Sequence, residues 1–105
     1  MYWNFTRLSY FIYKIVGTRP DFTSGLTEIE SAVMVRHFDY LKELLHQGNL
    51  FLVGPCTDAA FGIVIFEAES LREAEMIAQN DPSVIEGVMS VEVHPYRISL
   101  LRGRD

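Results

Sequence analysis

The chain has 105 residues, 49% of them hydrophobic and 22% charged, which is enough for one domain with its own core and too apolar for a disordered segment. A formal net charge of −5, with seven arginines and two lysines scattered along the chain, argues against a nucleic-acid partner. One cysteine, Cys56, excludes an intramolecular disulfide and fits a reducing compartment, and no apolar run approaches the ~20 residues that span a bilayer.

The opening M-Y-W-N-F-T-R-L has one arginine and no long apolar run behind a basic flank, so a cytoplasmic protein without a secretory signal is expected. S-Y-F-I-Y-K-I-V (9–16) is rich in β-branched and aromatic residues and stops at Gly17; it reads as a strand. G-T-R-P-D-F-T-S-G (17–25) is a loop. T-E-I-E (27–30) is a capping box that opens a helix running to about Gln47. Gly48 is its left-handed stop, and His46 sits favourably near the negative end of the dipole. L-F-L-V-G-P-C (50–56) and A-F-G-I-V-I-F-E (60–67) are two strands whose short T-D-A link, with Asp58 in the turn, predicts an antiparallel hairpin. S-L-R-E (70–73) is a second capping box, opening a helix through Ala78 or Gln79. V-M-S-V-E-V-H-P-Y-R-I (88–98) alternates and forms the last strand. With no repeat, linker or low-complexity tract, residues 1–105 make one domain with its core at about 9–98.

The order βαββαβ, with right-handed connections, favours the ferredoxin-like α+β arrangement: a four-stranded antiparallel sheet with both helices on one face. Strict alternation puts Leu50 and Leu52 on one face and Phe51 and Val53 on the other. It likewise sets Phe61, Ile63 and Ile65 opposite Val64 and Phe66. Strands apolar on both faces must be covered on both, and the helices cover only one. A homodimer packing sheet face to sheet face is therefore expected.

The first helix has an apolar stripe of Val33, Met34, Phe38, Leu41, Leu44 and Leu45, and His37 falls inside it. Antiparallel helices bring that histidine towards Q-N-D-P-S-V-I-E-G (79–87), which carries Asp81. A carboxylate beside an imidazole fixes its tautomer, orients it and stabilises its protonated form, so the pair could act as general base and orienting acid. Two plainer readings stand beside this one. His37 could be a core residue satisfied by a backbone carbonyl, and Asp81-Pro82 is good helix-start chemistry.

Other chemistry finds little support. His37 and His46 are nine residues apart, no C-x-x-C or H-x-x-x-H pattern occurs, and no metal site is expected. The 17–25 loop lacks both a Walker lysine and the G-x-G-x-x-G spacing. Cys56 has no evident activating partner and reads as inert. His94 lies on the more polar face of the last strand, exposed or bonded across a dimer. Tyr10, Phe11, Tyr13, Phe51, Phe61 and Phe66 read as core and dimer-face packing rather than as a ring-binding pocket.

H-F-D-Y-L-K-E-L-L-H-Q-G-N-L, then G-P-C-T-D, then N-D-P-S-V-I-E-G-V-M-S-V-E-V-H-P-Y together resemble the YCII-like family over roughly residues 9–98. Its members are small dimeric α+β barrels related in shape to muconolactone isomerase. The resemblance implies that His37 and Asp81 are the active-site pair and that Gly54 and Pro55 shape the substrate-binding wall beside it. Trp3 would then sit at the barrel's edge. The family often has an arginine three residues before the histidine, where this chain has Met34. Arg36 points about 100° away from its neighbour His37 and cannot replace it, which leaves any anion-binding role of that arginine in question. The function implied is a cofactor-independent enzyme in which His37 and Asp81 abstract a proton from a small, ring-containing organic acid or phenol. Isomerisation or an elimination such as dehydrochlorination would follow. The alternative is a non-catalytic ligand-binding or accessory module that uses the same cleft.

Overall fold

The computed structural model describes residues 8–103; Trp3 lies outside the described residues. Strand β1 (Ser9–Gly17), helix α1 (Glu28–His46), strands β2 (Leu50–Pro55) and β3 (Gly62–Ala68), helix α2 (Leu71–Gln79) and strand β4 (Met89–Tyr96) follow in the expected order. Two short pieces join them: a 3-10 turn at Phe22–Ser24, and a single helical turn, α3 (Pro82–Ile85), between α2 and β4. The strands lie in the order β2-β3-β1-β4, each neighbouring pair antiparallel, which is the ferredoxin-like α+β arrangement.

The helix boundaries follow from their caps. Thr27 Oγ1 accepts from the Glu30 amide at 3.1 Å, and Glu30 Oε1 accepts from the Thr27 amide at 2.9 Å. At the far end Gly48 takes a positive φ of 87°, and the amides of Gly48 and Asn49 return to the carbonyls of Leu45 and Leu44. The second box forms only half. Ser70 Oγ accepts from the Glu73 amide at 3.1 Å, but the Glu73 carboxylate accepts from Glu69, one amide further out, at 2.7 Å. Asp58 Oδ1 accepts from the Ala60 amide at 3.0 Å and shapes the β2–β3 turn, in which Ala59 has a φ of 66°.

Alternation in β1 buries Phe11, Tyr13 and Ile15, with Val64 and Phe66 of β3 as cross-strand partners of Tyr13 and Phe11. Onto this face α1 brings Val33, Leu41 and Leu44, while α2 brings Ala74 and Ala78, whose small side chains let it pack closely. The buried stripe of α1 is narrower than its apolar pattern. Phe38 and Leu45 are 56% and 53% exposed, because each lies about 100° around the helix from the buried residue before it.

One face assignment in β2 is overturned. Leu50 and Leu52 do not share a face, because a bulge between them pairs Leu50 with Phe66 and Leu52 with Ile65. Leu50 is therefore core, Leu52 is exposed, and Val53 joins the side of its partner Val64. A bulge adds one residue to one strand, which a period of two cannot register. The sheet's other face carries Tyr10, Ile12 and Val16 of β1 beside Ile63 and Ile65 of β3, with Tyr10 edge-to-face on Phe51 at 5.7 Å. Along β4 that face becomes polar, with Ser90, Glu92 and His94.

Candidate active site

The spacing Val33–His37–Leu41–Leu44 places His37 in the middle of the buried seam of α1, 7% exposed. Asp81 follows the last turn of α2 and is completely buried. His37 Nδ1 lies 2.9 Å from Asp81 Oδ1 and 2.8 Å from Oδ2. Asp81 is also the N-cap of α3, with Pro82 at the first helical position, and its Oδ1 accepts from the Ser83 amide at 2.9 Å. The helix-cap and histidine-partner readings of Asp81 therefore hold together, since one carboxylate offers about four acceptor sites.

Two further groups fill those sites. Ser83 Oγ donates to Oδ1 at 2.8 Å, and the Tyr13 hydroxyl donates to Oδ2 at 2.9 Å. Tyr13 comes from the core face of β1, so strand, helix and connecting loop converge on one carboxylate. Burial pushes the Asp81 carboxyl up, but the hydrogen bonds from His37 and Ser83 outweigh it and hold the group below the ordinary carboxylate value. The same environment keeps Tyr13 a donor: burial first, then the Asp81 charge, raises its phenol far above the usual range. Tyr40, pushed up to about 12 by burial and Asp81, donates to the Ile77 carbonyl at 2.7 Å.

This geometry sets the tautomer of the imidazole. An ionised Asp81 only accepts, so Nδ1 carries the proton and Nε2 of the neutral ring is left with its lone pair. Ser83 Oγ, 3.3 Å from Nδ1, already donates to Asp81 and offers the ring only a weak second acceptor.

His37 forms part of the wall of a cavity of about 470 Å³, a size suited to a small organic molecule. Met34, Phe38 and Leu41 of α1 line it with Val53, Gly54 and Pro55 of β2, the β2–β3 turn, and Phe22 and Leu26 from the β1–α1 loop. That loop is tied down at both ends. A side chain at Gly17 would meet the Phe22 ring at 2.2 Å, so only glycine lets Phe22 fold against the strand end. Arg19 grips both Glu30 oxygens at 3.0 and 2.7 Å and the Gly25 carbonyl at 2.7 Å. Its guanidinium, with the Thr27 amide, holds the Glu30 carboxyl at about 2.

The structure thus brings His37 and Asp81 together and places Gly54 and Pro55 on the same cavity. His94 lies elsewhere, exposed on β4 with Nε2 3.4 Å from Glu92. Cys56 is a half-buried free thiol outside the lining, and no cluster that could hold a metal occurs among the described residues. Met34 lines the cavity, whereas Arg36 is half-exposed and 4.0 Å from Glu86. Sequence reasoning missed Tyr13 and Ser83. A tyrosine between Phe11 and Ile15 on a buried face needs a partner for its hydroxyl, and a serine two residues after an N-cap aspartate is placed to bond it.

A family model described as the YCII-related domain matches residues 11–97. The uncharacterized protein YjpA of Bacillus subtilis (strain 168) is 32% identical over 62 residues, covering 59% of this chain and 73% of that protein. Among solved structures, the 5-chloro-2-hydroxyhydroquinone dehydrochlorinase TftG of Burkholderia phenoliruptrix AC1100, in complex with 2,5-dihydroxybenzoquinone, superposes with a TM-score of 0.64. It is 19% identical, and the match covers 84% of this chain and 93% of that one.

Proposed function

Because the chain belongs to the YCII-related domain family, we propose that it is a cofactor-independent enzyme that removes a proton from a small ring-containing compound with His37 as the base. One observation carries this reading: both oxygens of a buried, ionised Asp81 hold His37 Nδ1, and the ring lines a cavity of ligand size.

In this mechanism Nε2 takes the proton of an acidic O–H or C–H, and the electron pair of that bond stays on the substrate. Asp81 stabilises the imidazolium without taking its proton, while Tyr13 and Ser83 keep the carboxylate in place. The pair left on the substrate moves through the ring and expels an anionic leaving group in an elimination, or is reprotonated by His37 at another atom in an isomerisation. Gly54 and Pro55 shape the wall against which the substrate lies. The likeness in fold to a dehydrochlorinase holding a dihydroxybenzoquinone favours elimination from a ring compound.

The reading includes a homodimer formed through the open sheet faces. Supporting it are the apolar residues Ile12, Val16, Phe51 and Leu52, half-buried or exposed there, which a second sheet would take further out of water. It also places the protein in the cytoplasm, in keeping with its free Cys56; among the described residues no helix is long and apolar enough to cross a membrane.

The test is turnover on a panel of hydroxylated and halogenated aromatic compounds, read as halide release and spectral change. Wild-type turnover that falls by about 10²–10⁴-fold in His37→Ala, with folding and dimer intact, supports the enzyme. Binding without turnover across the panel would replace it with a ligand-binding module.

A further inference from the structure

The cavity wall says what kind of molecule belongs in it. Apart from His37, every described residue lining it is apolar or glycine: aromatic at Phe22, Phe38 and Phe61, aliphatic or thioether at Ile15, Met34 and Val53 among others. Lys14 Nζ lies 4.7 Å from the centroid of the Phe61 ring and Lys42 Nζ 5.3 Å from that of Phe38, but no cation is itself among the described lining residues. Arg19 is held by Glu30 and the Gly25 carbonyl, Arg36 lies 4.0 Å from Glu86, and neither lines the cavity.

Resting on the reading of His37 as base, we propose that this site takes an uncharged phenol-type ring whose hydroxyl donates to His37 Nε2, that it discriminates against carboxylates, and that Met34 is the position that sets this preference. A carboxylate entering the cavity would leave water for a wall whose own residues supply no cation, with Lys14 and Lys42 lying over the Phe61 and Phe38 rings. It would also bring a second negative charge towards Asp81, which lies just across the imidazole. A neutral phenol avoids both penalties. Its O–H satisfies the lone pair on Nε2, and no net charge enters until the proton moves. Then the O–H bond breaks, an N–H bond forms on Nε2, and the phenolate faces an imidazolium backed by Asp81, so that the total charge of the site is unchanged. Met34 lies three residues, one turn, before His37 and shares the cavity with it. A cation at that position would give a carboxylate the partner it lacks.

The experiment compares 4-ethylphenol with 4-ethylbenzoate at pH 8 by calorimetric titration of the full chain. There the phenol, with a pKa of about 10, is neutral, and the carboxylic acid, with a pKa of about 4, is charged. We expect the phenol to bind wild type at least tenfold more tightly, and Met34→Arg to abolish or reverse that ratio while Met34→Leu keeps it. Equal or tighter binding of the benzoate to wild type, or binding of neither, overturns the assignment, and the wild-type comparison stands even if Met34→Arg does not fold. His37→Ala separates the two readings. If the phenol binds it as tightly as wild type, Nε2 is not the contact and the base reading fails with the proposal. If wild type prefers the benzoate while His37→Ala still abolishes turnover, only the ligand class is wrong.

Discussion

His37 and Asp81 are 44 residues apart in the chain, yet Nδ1 of one lies 2.8 Å from Oδ2 of the other in a pocket where the carboxylate sees no solvent. A buried carboxylate is tolerated only when its acceptor sites are filled. Here an imidazole, a phenol, a hydroxyl and a backbone amide fill them. The pair is therefore structural and chemical together, and its removal should be visible in stability as well as in turnover.

Asp81→Asn removes the charge that the four donors surround, and we expect a loss of about 2–3 kcal/mol at pH 7 in urea unfolding. The acid side has a definite sign. Because the folded carboxyl titrates below its ordinary 3.8, the stability it confers is fully present above that pH and is lost as the pH falls through the folded value. Glu30, held at about 2, acts in the same window. Asp81→Asn should show a shallower acid decline than wild type, and the part that remains should shrink further in a double variant with Glu30→Gln.

Tyr13→Phe keeps the ring that packs edge-on against Phe66 and deletes only the hydroxyl at Asp81 Oδ2. A bond to a charged acceptor sets the cost at about 2 kcal/mol. If Tyr13 positions Asp81, turnover should fall with little change in KM, and the effect should be strongly non-additive with Ser83→Ala in a double-mutant cycle. Additive losses would mean that the two donors do not act on one carboxylate.

Much of this was legible beforehand, and the misses have specific causes. The capping box at Thr27 and the glycine stop at Gly48 are local signals, and both ends of α1 follow them. The approach of His37 to Asp81 follows from topology once βαββαβ is read. The face of Leu52 was not legible, because the bulge beside it depends on how β2 pairs with β3. Tyr13 and Ser83 carry polar atoms that look ordinary in the chain, and their role exists only where β1, α1 and α3 meet. The resemblance to a family supplied Gly54 and Pro55, which local chemistry would not have singled out.

Ala59 is the only non-glycine residue with a positive φ among those described, at 66°. A Cβ there crowds the following carbonyl, at about 1–2 kcal/mol for an L residue. Ala59→Gly relieves this but frees the unfolded chain, so we expect a net gain of up to about 1 kcal/mol in thermal or urea unfolding.

Arg19→Ala releases the β1–α1 loop from Glu30 and from the Gly25 carbonyl. Phe22 and Leu26 on that loop line the cavity. Amide exchange at Ser24 and Gly25 should quicken, and small-ligand affinity should weaken several-fold while the melting curve moves little. Unchanged exchange would show that Phe22 against Gly17 suffices to hold the loop.

The measurement that reaches the centre most directly is the tautomer of His37, read from long-range proton–nitrogen correlation spectra of the ¹⁵N-labelled protein with the imidazole neutral. We expect Nδ1 to carry the proton and Nε2 to show the shift of an unprotonated nitrogen, with this preference weakened in Asp81→Asn. A neutral ring protonated on Nε2 would contradict it, because that nitrogen could then accept no proton from anything bound in the cavity.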